Sequence, residues 1–362
     1  MTEENKNEEN KSAENSTTPK HEEFMPKPAV GEPTPQQEQQ NWGSNRVQVE
    51  KFSNDIRAVH TELSKVIIGQ GEVIEQMLIA LFADGHVLLE GVPGIAKTLM
   101  AKLLAKSFHA DFSRIQFTPD LMPTDVTGTS VFNMKTSEFF FSKGPIFSNI
   151  VLIDEINRAP AKTQASLFEV MAEKQITVDG VTYPMGFPFF VIATQNPVEQ
   201  EGTYKLPEAQ LDRFLFKIKL KYPSLEEENQ ILQRFKNDLG KDFSENVKAV
   251  ITPEKIKENR DIINQIYVSD QLMNYIASII HDTRNNGDIF LGASPRASLA
   301  ILKSAKALAA IKGRDFVTPD DIQYVCYPVL NHRIILTPEK EMEGTQTEEV
   351  IKEIISKVEV PR

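Results

Sequence analysis

Gly91-Val92-Pro93-Gly94-Ile95-Ala96-Lys97-Thr98 lies between a short apolar run, His86-Val87-Leu88-Leu89-Glu90, and a helical pattern, Leu99-Met100-Ala101-Lys102-Leu103-Leu104-Ala105. Strand, glycine-bearing turn, Lys-Thr and helix in that order are the layout of a phosphate-binding loop. Backbone N–H groups in such a turn, and at the helix N-terminus, point at an anion. Lys97 then sets a point charge on the β- and γ-phosphates, and the Thr98 hydroxyl holds a magnesium ion. The candidate nucleotide-binding residues here are Gly91, Val92, Pro93, Gly94, Ile95, Ala96, Lys97, Thr98 and Leu99. The strict pattern has a second glycine where Ala96 stands. Alanine at that place asks for an ordinary right-handed φ, compatible with the mouth of a helix. On this motif alone, a strand-to-helix turn with a solvated lysine stays open.

A second motif narrows the choice. Asn149-Ile150-Val151-Leu152-Ile153 is a continuous apolar run ending in Asp154-Glu155, about sixty residues after the loop. A buried parallel strand reads as such a run, and its carboxyl end is where α/β sheets place ligands. Asp154 is the candidate metal-binding carboxylate, directly or through water. Glu155 is the candidate that polarises the water attacking the γ-phosphate.

Composition sets the outer bounds. At 362 residues the chain is long enough for two or three domains with good cores. Hydrophobic content of 40% and charged content of 25% are ordinary for a soluble globular protein. The net charge of −11, with no basic block, weighs against broad nucleic-acid or anionic-membrane binding. Cys326 is the only cysteine, which excludes an intrachain disulfide or a cysteine-cluster metal site. No apolar run approaches the ~20 residues of a membrane helix, and the first residues hold no hydrophobic signal core. The expected compartment is the cytoplasm.

Residues 1–48 are rich in Glu, Asn, Lys, Gln, Pro and Ser, with almost no aliphatics, and are expected to be a disordered tail. Phe52, Ile56, Val59, Leu63 and Val66 then recur at helical spacing. Ile67-Ile68-Gly69-Gln70 breaks that helix, and residues 72–82 resume one. Strand readings at Arg114-Ile115-Gln116-Phe117, at Phe189-Phe190-Val191-Ile192-Ala193-Thr194 and, as an edge strand, at residues 214–220 alternate with a helix over residues 161–174. This predicts an α/β core, a parallel sheet flanked by helices, over residues 49–222. Two hairpins interrupt it. Asp179-Gly180 between alternating strands is a type I′ turn signal, and residues 131–141 read as a second, longer hairpin. Beyond Pro223 the pattern is helical. Segments 225–239, 269–285, 294–311 and 318–330, and one starting at Thr252-Pro253, predict an all-α unit over residues 223–336. Residues 337–362 form a terminal segment with a short, loosely attached helix over 348–358.

Taken together, the phosphate loop, Asp154-Glu155-Ile156-Asn157-Arg158-Ala159, Ala193-Thr194-Gln195-Asn196-Pro197 and Leu206-Pro207-Glu208-Ala209-Gln210-Leu211-Asp212-Arg213-Phe214 resemble the MoxR-type AAA+ ATPases over residues 50–335. The middle strings are far more specific than the loop. The resemblance implies a P-loop NTPase core followed by a helical lid. The subunits assemble as a ring, most often hexameric, with ATP and Mg2+ bound between neighbours. By similarity Asn196 orients the attacking water with Glu155, and Arg213 is the arginine finger reaching the adjacent subunit's γ-phosphate. Arg296 is the lid arginine that senses the same phosphate, and Gly69 and Gln70 border the adenine. A finger of this kind typically contributes ~10³ to 10⁵ in rate. Arg114 and Arg158 read as sheet-edge ion pairs.

The implied activity is Mg-ATP hydrolysis driving remodelling or activation of a protein partner, a protein with a von Willebrand A domain. The alternatives are a ring acting on DNA, disfavoured by the acidic balance and the lone Lys135 in its hairpin, and a non-hydrolysing nucleotide switch, disfavoured by intact Lys97, Thr98, Asp154 and Glu155.

Overall fold

The computed structural model describes residues 35–197, 204, 206–236 and 243–361. The expected tail lies outside the described residues up to residue 34. From Pro35 the chain is helical, thirteen residues ahead of the expected boundary at 48, in α1 (Pro35–Ser64). Val49, Phe52, Ile56, Val59 and Leu63 bury one stripe of that helix. After α2 (Gly71–Phe82) come β1 (Val87–Glu90), α3 (Lys97–Ser107) and β2 (Phe112–Gln116). A short α4 (Pro123–Thr127) leads to the antiparallel pair β3 (Gly128–Asn133) and β4 (Glu138–Lys143). Then follow β5 (Ile150–Asp154), α5 (Ala161–Glu173), the hairpin β6 (Gln175–Val178) and β7 (Val181–Pro184), β8 (Phe190–Gln195), α6 (Glu208–Leu211) and β9 (Phe216–Lys219).

Five strands form one parallel sheet in the order β2-β5-β8-β1-β9. Each pairs with a strand distant in sequence, so every connection is a crossover through a helix or an insertion. The sheet has two buried faces, and the period of two sorts its residues between them. Val87, Leu89, Ile150, Leu152, Phe190, Ile192, Phe216 and Ile218 join the core under α1, α2 and α3. Leu88, Val151, Ile153, Val191 and Ala193 join a second core with Leu167, Phe168 and Met171 of α5. This double burial is why β5 and β8 read as unbroken apolar runs rather than alternating ones. β9 is the edge strand expected from its alternation. In the second hairpin Asp179 and Gly180 have φ of 52° and 77°, the two left-handed residues a type I′ turn requires.

The remainder is mainly helical: α7 (Leu225–Phe235), α8 (Pro253–Asn264), α9 (Asp270–Asn285), a strand β10 (Ile289–Leu291), α10 (Pro295–Ile311) and α11 (Pro319–Leu330). β11 (Ile335–Leu336) pairs with β10, and α12 (Pro338–Met342) and α13 (Thr347–Lys357) follow. Ser224, Thr252 and Ser269 cap their helices through side-chain oxygens. The terminal helix is not loosely attached. Val350, Ile351, Ile354 and Ile355 of α13 are buried, and the helix packs on α11 and α9. Its apolar residues fall on one stripe, and covering that stripe fixes the helix. No helix among the described residues is long and apolar enough to cross a membrane.

Candidate active site

The loop after β1 is shaped by two left-handed residues. Gly94 has φ +86°, and Ala96, the residue before α3, has φ 60° and ψ 22°. The right-handed φ expected for Ala96 is therefore wrong. The turn needs a left-handed residue at this place to swing the following N–H groups inward, and Ala96 adopts that conformation despite its Cβ. Left-handed residues flanking Ile95 give the concave run of amides that accepts an anion. Gly91 is needed for space, since a Cβ there would lie 2.7 Å from Ile95 Cδ1 and 3.0 Å from Leu220 Cβ. The Lys97 ammonium donates to the Gly91 carbonyl at 2.6 Å, folded back along its own loop.

The strand ends complete a cleft of about 400 Å³. Its walls include Gly94, Lys97, Thr98 and Leu99 from the loop side, and Asp154, Glu155, Thr194 and Asn196 from the sheet side. Asp154 closes β5 opposite Gln116 of β2 and is 7% exposed. One carboxylate oxygen accepts Arg114 Nε at 2.6 Å, and the other accepts the Thr194 hydroxyl at 3.2 Å. Glu155 has φ 56° and ψ 53°. That left-handed turn lets two adjacent acids line the same cleft, where a continuing strand would send them to opposite faces. The turn is pinned by the Glu155 N–H, which donates to Thr194 Oγ1 at 3.0 Å. The Glu155 carboxylate accepts Gln116 Nε2 at 2.9 Å and forms an ion pair with Arg158 Nε at 2.9 Å.

Thr194 thus touches both acids, and nothing in its sequence neighbourhood marked it beyond a hydroxyl at the end of an apolar run. Gln116 was missed in the same way. Arg114 and Arg158, read as sheet-edge ion pairs, do form ion pairs, and their partners are Asp154 and Glu155.

The other candidates lie elsewhere. Arg213 is exposed, does not line the cleft, and donates to the Phe168 carbonyl at 3.2 Å. Arg296 is also outside the cleft lining. Its guanidinium is 3.6 Å from Asp212, the residue preceding Arg213. Gly69 has φ +76°, and a Cβ there would meet the Glu227 carboxylate at 2.7 Å. Gln70 donates to the Lys221 carbonyl at 3.1 Å. Both residues line a separate cleft of about 530 Å³, with Lys217, Lys219 and Lys221 on its wall.

The residues present fit a magnesium nucleotide. The loop offers an amide concavity and a lysine for phosphate, and the Thr98 hydroxyl and the Asp154 carboxylate are hard oxygen donors on one cleft.

Residues 86–216 match the ATPase family associated with various cellular activities (AAA), and residues 281–354 match the AAA lid domain. YeaC of Bacillus subtilis is 49% identical over 299 residues, covering 83% of this chain and 92% of that protein. The chaperone MoxR1 of Mycobacterium tuberculosis is 43% identical over 310 residues, covering 83% of this chain and 81% of its own. Protein MoxR of Methylorubrum extorquens is 29% identical over 324 residues, covering 83% and 93%. A crystal structure from Cytophaga hutchinsonii, described as that of an ATPase candidate, superposes with a TM-score of 0.81 at 43% identity, covering 90% of this chain and 99% of that one. A parallel sheet with a phosphate loop at its carboxyl edge, a helical lid and relatives of this closeness lead to one conclusion: the chain belongs to the MoxR family of AAA+ ATPases.

Proposed function

We propose that this ATPase hydrolyses Mg-ATP between subunits of a ring, hexameric by family resemblance, to remodel or activate a protein partner in the cytoplasm. The observation that carries the reading is the convergence of Lys97, Thr98, Asp154, Glu155 and Asn196 on one cleft from three separate parts of the chain. In this reading the loop amides and Lys97 grip the phosphates, and Lys97 leaves the Gly91 carbonyl to do so. Thr98 and Asp154 hold Mg2+, which when bound neutralises charge on the phosphate oxygens. Glu155 and Asn196 orient the attacking water. Arg213, exposed and away from its own cleft, serves a neighbour's phosphate. Arg296, beside Asp212, senses phosphate from the lid, and Gly69 and Gln70 border the adenine.

A protein client is supported by the first hairpin, where Phe132, Met134 and Phe139 are 47%, 88% and 72% exposed with Lys135 among them. Such an apolar surface suits a protein contact rather than a phosphate backbone. The client class, a protein with a von Willebrand A domain, rests on the family resemblance. The test is Glu155→Gln. Turnover should fall by at least about 10²-fold while ATP binding persists. The arrested ring should retain its client for identification. Unchanged turnover would overturn the assignment of Glu155.

A further inference from the structure

We propose that Arg114 occupies the metal position of the cleft when no cation is bound, so that a divalent ion reaches Asp154 only by displacing the Arg114 guanidinium. The proposal rests on Asp154 being the metal carboxylate.

The two partners of this ion pair are unlike in exposure. The Asp154 side chain is 11% exposed, whereas that of Arg114 is 54% exposed. Here only the acceptor is nearly buried. Its two oxygens also differ in kind. One accepts from Thr194, whose own exposure is 3% and whose hydroxyl is tied to the Glu155 amide. The other, among the described residues, accepts from the long, solvated arginine, at 2.6 Å. Asp154 therefore has one oxygen held by a buried partner and one held by an exposed partner, and Asp154 shares the cleft with Thr98.

Register explains how the arginine arrives there. Arg114 lies opposite Leu152, and Gln116 lies opposite Asp154, so residues 114, 116, 152 and 154 share a sheet face. Arg114 must reach forward by one pleat, to the level of Gln116, and it is a side chain long enough to do so. Without it, an empty cleft would leave a nearly buried carboxylate with no cationic partner, which is costly. A pair this exposed is weak, so a divalent ion can displace it.

The test uses the full chain, with Mn2+ as probe in the presence of ADP, and electron paramagnetic resonance to count free Mn2+. Arg114→Met should tighten Mn2+ binding by about two- to fivefold. Arg114→Lys, which keeps the charge but loses the Nε donor, should fall between. A Mn2+ affinity in Arg114→Met that is unchanged or weaker overturns the proposal. Asp154→Asn separates the two layers. If Asp154→Asn binds Mn2+ as the parent does, the metal reading of Asp154 fails and the proposal with it. If Asp154→Asn loses Mn2+ while Arg114→Met is unchanged, only the proposal fails. A readout on the unaltered chain covers poor folding of the variants. The Nε–H resonance of Arg114 should shift when Mg2+ joins ADP and stay put with ADP alone. Indifference to Mg2+ overturns the proposal.

Discussion

Arg333 is locked to Asp212: its Nε lies 2.7 Å from the carboxylate, and its other nitrogens donate to the carbonyls of Asp212, Phe214, Leu215 and Val329. The arginine follows α11, and its acceptors at 212–215 lead into β9, so this one buried side chain rivets the lid to the nucleotide-binding sheet. His332 and Asn331 add bonds to the Phe214 and Lys217 carbonyls. Arg333→Met removes every one of Arg333's side-chain bonds while keeping most of the volume. The carbonyls left unpaired, and an Asp212 left with Arg296 and Ser294, should cost about 3 kcal/mol. Urea denaturation checks this, and an unshifted midpoint would contradict the rivet.

Asp212 also receives Arg296 and immediately precedes Arg213, so Arg296 pairs with the residue next to the candidate finger. If Arg213 serves a neighbour, subunits with Arg213→Ala and subunits with Glu155→Gln, each inactive alone, should recover part of the ATPase rate when mixed. Recovery should peak at intermediate ratios, as measured by phosphate release. Absence of recovery at every ratio would mean that each subunit is self-contained.

Ala96 carries a Cβ in a left-handed conformation, which costs about 1 kcal/mol or more relative to glycine. Ala96→Gly should raise stability by about 1 kcal/mol and leave phosphate binding intact. Denaturant midpoint and nucleotide titration report the two separately. A loss of stability would show that Ala96 contributes contacts that outweigh its strain.

His86 is buried, and burial pulls its pKa down to about 4 from an ordinary 6.5. Nδ1 accepts the Val191 N–H at 3.0 Å, so the proton of the neutral ring sits on Nε2, 3.3 Å from the Met171 carbonyl. A depressed histidine favours folding fully above pH 6.5. Below that the unfolded chain takes up a proton that the folded chain refuses, and stability falls until about pH 4. The loss attributable to His86 approaches about 3 kcal/mol. Ring nitrogen chemical shifts should keep the Nε2–H pattern down to pH ~4. A ring that protonates near pH 6.5 in the folded protein would refute this.

The parallel sheet was legible because strands buried on both faces leave unbroken apolar runs, as at 150–153 and 189–194. The phosphate loop, Asp154 and Glu155 were legible because each follows such a run at its carboxyl end, whereas Asn196 was singled out by the family resemblance. What escaped lies between strands. Thr194 and Gln116 join the site through register, which pairs β2 with β5 and β5 with β8 across distances in sequence that no local pattern encodes. The backbone of Ala96 escaped because its conformation is set by what the turn must present, against the preference of its side chain. The attachment of α13 escaped because its apolar stripe is short, and its partners α9 and α11 are themselves amphipathic helices.

The two hairpins are fastened to each other, by Ser130 to Asp179 and by the rings of Phe141 and Tyr183 with centroids 4.5 Å apart. They form one prong with two roots. The first runs from β4 through six residues into β5, which ends at Asp154 and Glu155. The second runs from β7 through five residues into β8, beyond which lies Asn196. Any load taken up at the prong therefore has two covalent leads to the strand ends, one to Asp154 and Glu155 and the other to Asn196, like a tuning fork held at its stem.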